Sequence, residues 1–425
     1  MDLPEATPGP VPDTATETAT DTAPAGMPEV FTGSFTQQEP IPEAAIEAAV
    51  AVMRHGRLHR YNTVPGEVGE VAALEEEFAA VTGARYALAV ASGGYALGCA
   101  LRALGVSAGE AVLTNAFTLA PVPGAIAALG ARPVFVETLP DLTIDMDHLA
   151  QRARETGARV LMLSHMRGHV CDMDRLVALC ADLGLKIVED CAHTMGARWR
   201  GIPSGRHGVI ACYSTQTYKH LNSGEGGFLT SDDPGLMARA ILLSGSYMLY
   251  GRHRAAPPPE AFADLRYRTP NVSGRMDNLR AAILRPQLAR LADQCADWTA
   301  RYRAVEYGLR GTPGLALIER PEAEAFVGSS FQFRLDGWEA DRIGEVIRRA
   351  AARGVELKWF GAPEPVAFTS RYDSWHYAAP ERLPGTDAVL AGLMDMRLPL
   401  TFSLGDCALI ARIVRAEVST VFQSG

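Results

Sequence analysis

Lys219 lies in "STQTYKHLNSGEGG", residues 214–227, where hydroxyls and amides surround one amine before the chain drops into glycines around Glu225. Most lysines are solvated surface charges. Here the only other basic side chain nearby is His220, and a lysine beside a dry pocket gives up its proton and attacks carbonyls as a free amine. Five residues upstream, Ser214 could donate its hydroxyl to a phosphate. Asp190 closes the apolar run "KIV" in "KIVEDCAHTMGA". A carboxylate at the end of a buried strand is costly unless paired. Taken alone, Asp190 reads first as a helix cap or half of an internal ion pair; a cationic ligand atom is the other reason to put it there. Strand alternation turns its neighbour Glu189 to the opposite face. Ser92-Gly93-Gly94 precedes a helical pattern. Glycines let a ligand approach the backbone, and a helix start offers unpaired N–H groups to an anion, although the same residues also make a plain strand-to-helix turn.

Glycine turn, acid and lysine, in that order, suit one cofactor. Pyridoxal 5'-phosphate needs an anion cradle, a carboxylate that keeps its pyridine nitrogen protonated, a lysine that captures its aldehyde and a group packed on its ring.

These residues have to be brought together by strands and helices. Near-continuous apolar runs ("YALAVAS", "AVLTNAF", "RPVFVE", "RVLMLSH", "KIVEDC", "VIACYST", "GGFLTS") alternate with helical patterns such as "YALGCALRALG" and "MDRLVALCADLG". That alternation predicts an α/β fold with a mostly parallel central sheet covered on both faces. Ligands of such sheets collect beyond the carboxyl ends of the strands, so Ser92–Gly94, Asn115–Phe117, His165–His169, Asp190–His193 and Ser214–Lys219 are expected on one rim. Upstream, "IPEAAIEAAVAVMRHGRL" and "VAALEEEFAAVTG" read as helices, the second stopped by Gly83. After residue 275 a long helix is expected, kinked at Pro286, then a smaller α+β domain. The expected organisation is a disordered tail over 1–40, rich in Pro, Thr, Ala and acids, a large domain over 41–285 and a small C-terminal domain over 286–425.

From about residue 41 to the C-terminus the chain resembles the DegT-type aminotransferases, pyridoxal-phosphate enzymes that aminate keto-sugars and keto-cyclitols. The resemblance is strongest between Ser92 and Gly227, and rests on "IVEDCAHTMGARWRG", "YSTQTYKHLNSGEGGFLTSDD", "ALRALGV", "GARPVFVE" and "GRMDNLRAAILRPQL". It implies the fold-type I architecture and a homodimer with active sites at the subunit interface. Lys219 would link to the cofactor aldehyde and then shuttle a proton. Asp190 would pair with the pyridine nitrogen and His193 would contact the phenolic oxygen. Gly93, Gly94 and Ser214 would hold the phosphate. Phe117 is the candidate for packing on the ring, although the family aromatic usually follows a threonine and here Leu119 follows Thr118. Asn271, or Ser273, would reach the neighbouring subunit's phosphate. Relatives with histidine in place of the lysine run dehydrations; His220 falls one residue too late for that. "KHLNSGEGG" is closest in character to the branch that aminates inosose-type cyclitols. "GSYMLYGRH" departs from the family and points to an unusual substrate pocket. The implied amino donor is glutamate or glutamine.

Net charge is −9 among 425 residues, which implies no general affinity for nucleic acid or an anionic membrane. No apolar run is long enough to span a bilayer, and no basic n-region marks a signal peptide. Seven scattered cysteines without C-x-x-C spacing fit a reducing cytoplasm. His165, His169 and Cys171 could suggest a metal, but "SHMRGHVCDMD" is a strand end and loop rather than one helix face, so no metal is expected. Arg57, His59, Arg60, Arg252 and His253 could line the entrance and attract an anionic substrate, or be solvated loop charges. Two other functions use the same residues: a dehydratase or lyase on this scaffold, and a regulatory protein that binds the cofactor without turnover.

Overall fold

The computed structural model describes residues 28–424. Its centre is a seven-stranded sheet of β1 (Tyr86–Val90), β2 (Ala111–Asn115), β3 (Arg132–Val136), β4 (Val160–Ser164), β5 (Lys186–Asp190), β6 (Ile210–Ser214) and β7 (Gly227–Ser231), in the order β1-β7-β6-β5-β4-β2-β3. Only β7 runs against its neighbours. The pairings β6–β5, β5–β4, β4–β2 and β2–β3 are parallel. Every apolar run picked from the sequence became a strand. Their two-residue periodicity feeds two cores. Leu88, Val90, Met162, Val188 and Cys212 pack under the helices Gly93–Ala103 and Pro234–Leu243 on one face. Ala87, Ala89, Ala211, Tyr213 and Phe228 pack on the other, against Leu74, Phe78 and Leu284.

The crossover helices start where short polar side chains can cap them. Ser92 Oγ accepts from Tyr95 N at 3.0 Å, and Asp172 and Asp145 cap the helices Met173–Asp182 and Met146–Thr156. Gly83 stops the helix Glu70–Thr82 at φ 72°, a left-handed conformation that costs glycine little. Since β1, β4, β5 and β6 all point the same way, their carboxyl ends share one edge.

A second, four-stranded antiparallel sheet is built from Ala316–Leu317, Ser330–Arg334, Leu393–Arg397 and Lys358–Trp359. Its core includes Phe331, Phe333, Met394 and Met396 beneath the helices Leu291–Leu309, Ala340–Ala352 and Leu404–Gln423.

Two expectations change. The long helix after residue 275 is two helices, Asn278–Leu288 and Leu291–Leu309. Pro286 has no N–H to give to residue 282, and the break follows at Ala289–Arg290, where Arg290 N tightens onto Gln287 O at 3.0 Å. The tail assigned to residues 1–40 is ordered over 28–40. Phe31 and Phe35 are buried edge-on against Phe402, with centroids 4.9 and 5.0 Å away, and Phe31 N donates to Arg353 O. Two buried phenylalanines, with the Phe31 backbone bond to Arg353 O, dock this otherwise polar stretch on the second sheet's core. Residues 1–27 lie outside the described residues.

Candidate active site

The strand ends meet at a cavity of ≈ 510 Å³. Gly93, Gly94, His193, Ser214 and Lys219 line it, and Asp190 lies behind Lys219. The glycines are needed for close approach. A Cβ on Gly93 would sit 2.8 Å from Ser214 Cβ, and one on Gly227 would sit 2.7 Å from Gly93 N. Helix start and strand end are thus pressed together, with the first N–H groups of an 11-residue helix beside the Ser214 hydroxyl. This is an anion cradle.

Lys219 Nζ lies 2.7 Å from His193 Nε2. Burial and the nearby Arg167 guanidinium lower the amine to about 7, against an opposing pull from Asp190. Burial, then Lys219 and Arg167, push His193 well below the usual histidine range, so its ring is neutral and Nε2 can accept from Nζ. Asp190 is held by Ser164 Oγ, which donates to Oδ2 at 3.0 Å, and by Ala192 N, which donates to Oδ1 at 3.1 Å. Burial still raises its carboxyl above the ordinary value. A cationic ligand atom beside it would relieve that desolvation.

Pyridoxal phosphate fits this donor set. It would find a half-neutral amine for its aldehyde, a buried carboxylate for its ring nitrogen and unpaired N–H groups for its phosphate.

Glu189 faces the other way, as alternation requires. Its four acceptor positions are filled: Oε2 takes His165 Nε2 at 3.1 Å and Gly205 N at 2.9 Å, and Oε1 takes His207 N at 2.8 Å and Gly208 N at 2.6 Å. Burial pushes its carboxyl up, but the neighbouring His165 and His207 side chains outweigh burial and hold it well below the carboxylate range. His165, Glu189 and Cys191 are close enough to suggest a metal, yet Glu189 keeps no free lone pair. His169 turns to Gln332 and Cys171 to Met173.

Two expectations about placement are corrected. Phe117 is not on the cavity wall: it is 1% exposed and packs edge-on to Phe360, with centroids 5.1 Å apart. Its backbone is pinned, since Phe117 N donates to Thr138 Oγ1 and Phe117 O accepts from Asn115 Nδ2. Leu119 takes the cavity position instead. Asn271 and Ser273, expected to serve a neighbouring subunit rather than this chain's cavity, are exposed; Asn271 lies beside Gly245 and Arg275. The basic cluster is not at this chain's cavity either. Arg60 makes two 2.9 Å bonds to buried Glu75, His253 Nδ1 sits 3.1 Å from the same carboxylate, Arg57 pairs with Glu67, and Arg252 donates to Tyr61 O.

Arg167 and Tyr218 fall in stretches expected on the rim but are given no role by the sequence, which leaves Glu225 between substrate contact and solvent and does not pick out Arg397, Trp298 or Gln38. Arg167, Arg397, Tyr218, Trp298 and Gln38 all face the cavity, and Glu225 sits exposed on its rim. Arg167 follows β4 and was within reach of the strand-end rule. Arg397 ends a strand of the other sheet, and Gln38 belongs to the stretch assigned to the tail, so neither carried a local signal.

Fold and site together define a lysine-dependent enzyme of the fold-type I class. The sequence matches the DegT/DnrJ/EryC1/StrS aminotransferase family over residues 41–415, and the chain belongs to that family. It is 32% identical over 333 residues to 3-amino-5-hydroxybenzoate synthase of Amycolatopsis mediterranei (strain S699), covering 75% of this chain and 82% of that protein. It is 33% identical over 309 residues to dTDP-3-amino-3,4,6-trideoxy-alpha-D-glucose transaminase of Streptomyces venezuelae, covering 71% and 75%. The crystal structure of 3-amino-5-hydroxybenzoic acid (AHBA) synthase superposes with a TM-score of 0.76 at 26% identity, over 91% of this chain and 99% of that one. The enzyme is a pyridoxal-phosphate-dependent aminotransferase. Among the described residues no helix is long and apolar enough to cross a membrane.

Proposed function

We propose that this enzyme takes an amino group from L-glutamate or L-glutamine and places it on the ketone of a sugar, a cyclitol or a related carbocycle. The observation that carries the reading is the part-buried Lys219 amine, lowered to about 7 and 2.7 Å from a neutral His193. When bound, the cofactor supplies a carbonyl for the incoming amine and a ring that accepts electrons. Lys219 Nζ would hold the cofactor through its aldehyde carbon, and as a free amine would carry the proton removed from the substrate carbon. An amine near pH 7 is suited to both taking and returning a proton. His193 holds Nζ in place and offers a neutral ring edge to the cofactor's phenolic oxygen. Asp190 would keep the ring nitrogen protonated. Gly93, Gly94 and Ser214 would hold the phosphate, and Leu119 stands on the wall where relatives use an aromatic. The active form is read as a cytoplasmic homodimer in which Asn271 or Ser273 reaches the neighbouring cofactor, with each chain dividing near residue 285.

The test is to add L-glutamate or L-glutamine to the purified yellow protein. Transamination requires loss of the visible band with release of the matching keto acid, and its return on adding a keto-sugar or keto-cyclitol. No spectral change with any amino donor would sink the reading and favour a regulatory cofactor binder. A product that has lost water would favour a dehydratase.

A further inference from the structure

Arg167 is held as few surface arginines are. Its backbone is left-handed, φ 55° and ψ 22°, a conformation that costs a non-glycine residue about 1 kcal/mol or more. The turn is fixed on all sides. Gly168 N donates to His165 O at 3.1 Å, Arg320 Nη1 donates to Gly168 O at 2.6 Å, and His169 Nε2 meets Gln332 Oε1 at 2.9 Å. The side chain is 6% exposed and faces the cavity, and its Nε and Nη2 have no hydrogen-bond partner. Nη2 lies 2.9 Å from Asp395 Oδ2, but without hydrogen-bond geometry, and Asp395 Oδ1 is taken by Gln332.

Arg397 comes to the same cavity from the second sheet. Its guanidinium stacks 3.5 Å from the Tyr218 ring centroid and has no carboxylate at ion-pair distance among the described residues. Each arginine disfavours the charge of Lys219 and of His193. Lys358 adds a third cation, with Glu356 at 3.8 Å. Three cations therefore share one fully buried carboxylate, Asp395, and one half-exposed carboxylate, Glu356. Burying like charges together is unfavourable unless an anion arrives. The cradle for a phosphate is already made by Gly93, Gly94 and Ser214, so a second anion is called for.

We infer that Arg167 and Arg397 form a two-guanidinium clamp that binds a carboxylate of the molecule being processed, on the amino donor or on the ketone. The inference rests on the aminotransferase reading and specifies its substrate chemistry. A planar guanidinium matches a carboxylate with two parallel bonds, and Asp395 with Tyr218 fixes the two planes before the ligand enters. A neutral ketone cannot compensate this charge.

The test uses the holoenzyme and maleate, a dicarboxylate that cannot react, with maleamide as its neutral counterpart. Binding is measured by calorimetry for the parent, Arg397→Gln, Arg397→Lys and the charge-balanced pair Arg167→Gln/Asp395→Asn. Cofactor loading and melting temperature confirm that each variant folds. The clamp requires maleate binding at millimolar concentration that weakens about ten- to hundredfold in Arg397→Gln and in the pair, with a smaller loss in Arg397→Lys and no change for maleamide. No maleate binding by the parent, or variants within about twofold of it, overturns the inference. Two single-turnover arms assign the source. Arg397→Gln slows amine uptake from L-glutamate if the clamp holds the donor. It slows amine delivery to a carbocyclic keto acid, but not to a neutral keto-sugar, if the clamp holds the acceptor. Maleate binding needs no turnover. An Arg397-dependent maleate site in a protein that transfers no amine would refute only the aminotransferase reading; intact transfer with unchanged maleate binding would refute only the clamp.

Discussion

The Lys219 amine should be reactive at neutral pH, and its neighbours should set where. An ordinary lysine titrates near 10.5; here burial and Arg167 bring the value to about 7. At about 1.4 kcal/mol per pH unit, the upper bound on that destabilisation of the charged amine is about 5 kcal/mol. Lys219 is only partly buried by accessible surface, and cavity water relieves part of the effect. Even half of it raises the neutral fraction at pH 7 by well over tenfold. The assay is the rate at which apoprotein takes up pyridoxal phosphate, followed by absorbance from pH 5.5 to 10. The parent's rate should climb with pH and level off at about 7–8.

Two substitutions give the sign. Asp190→Asn removes an anion that favours charged Lys219, so the break should move down by roughly one pH unit. Arg167→Gln/Asp395→Asn removes a cation that opposes it, together with a more distant anion, so the break should move up. The free cofactor's own titrations are common to all three proteins and cancel in the comparison of uptake rates. A parent break above about pH 9.5, or shifts in the opposite directions, would refute the electrostatic account of the site.

Lys219→Ala should abolish amine transfer, and turnover by that variant, measured as keto-acid release, would remove the central assignment. Gly93→Ala places a Cβ 2.8 Å from Ser214 Cβ; equilibrium dialysis should show pyridoxal phosphate losing about tenfold in affinity while phosphate-free pyridoxal changes little. Glu189→Gln keeps one acceptor oxygen where four N–H groups converge, and should cost about 3 kcal/mol at pH 7 by denaturant melts. The Glu189 carboxyl is depressed in the fold, so its contribution is full above the unfolded value near 4.5 and is lost as pH falls toward the folded value; the deficit of the variant should shrink below pH 4. Phe35→Ala should cost about 3 kcal/mol and raise KM as well, because Phe35 anchors the segment that brings Gln38 to the cavity.

The parts of this fold that were legible are those in which one local rule decides. The strands of the central sheet are buried on both faces, so they read as apolar runs, and the carboxyl-end rule then gathers Ser92–Gly94, His193, Ser214 and Lys219 on one rim. Asp190 and Glu189 were told apart by alternation alone. What failed depended on longer-range choices. Phe117 and Leu119 are two residues apart in an irregular turn, where no periodicity says which faces the ligand; the hydrogen bonds from Phe117 N to Thr138 Oγ1 and from Asn115 Nδ2 to Phe117 O decide it. Arg60 looked like an entrance charge because Glu75, which buries it, lies on a different element. Residues 28–40 looked like the rest of the tail in composition, yet two phenylalanines dock them on Phe402, a partner more than 360 positions away in sequence.

The site divides its work between rigid backbone and electrostatic tension. The glycine turn is made of close contacts that leave no room for a single added methyl group at Gly93 or Gly227. The reacting end is different: Lys219, His193, Arg167 and Arg397 crowd together with too little negative charge, and burial together with that imbalance brings the lysine amine down to about 7. An amine surrounded by water could not hold that state, and an amine paired one-to-one with Asp190 would stay charged. Arg167 thus acts on the site before any substrate enters, by disfavouring the protonated lysine. If a substrate carboxylate then neutralises the guanidiniums, the lysine's tendency to accept a proton must rise on binding. The amine would be a nucleophile in the empty site and a stronger base in the filled one, which is the order in which the two halves of the reaction need it.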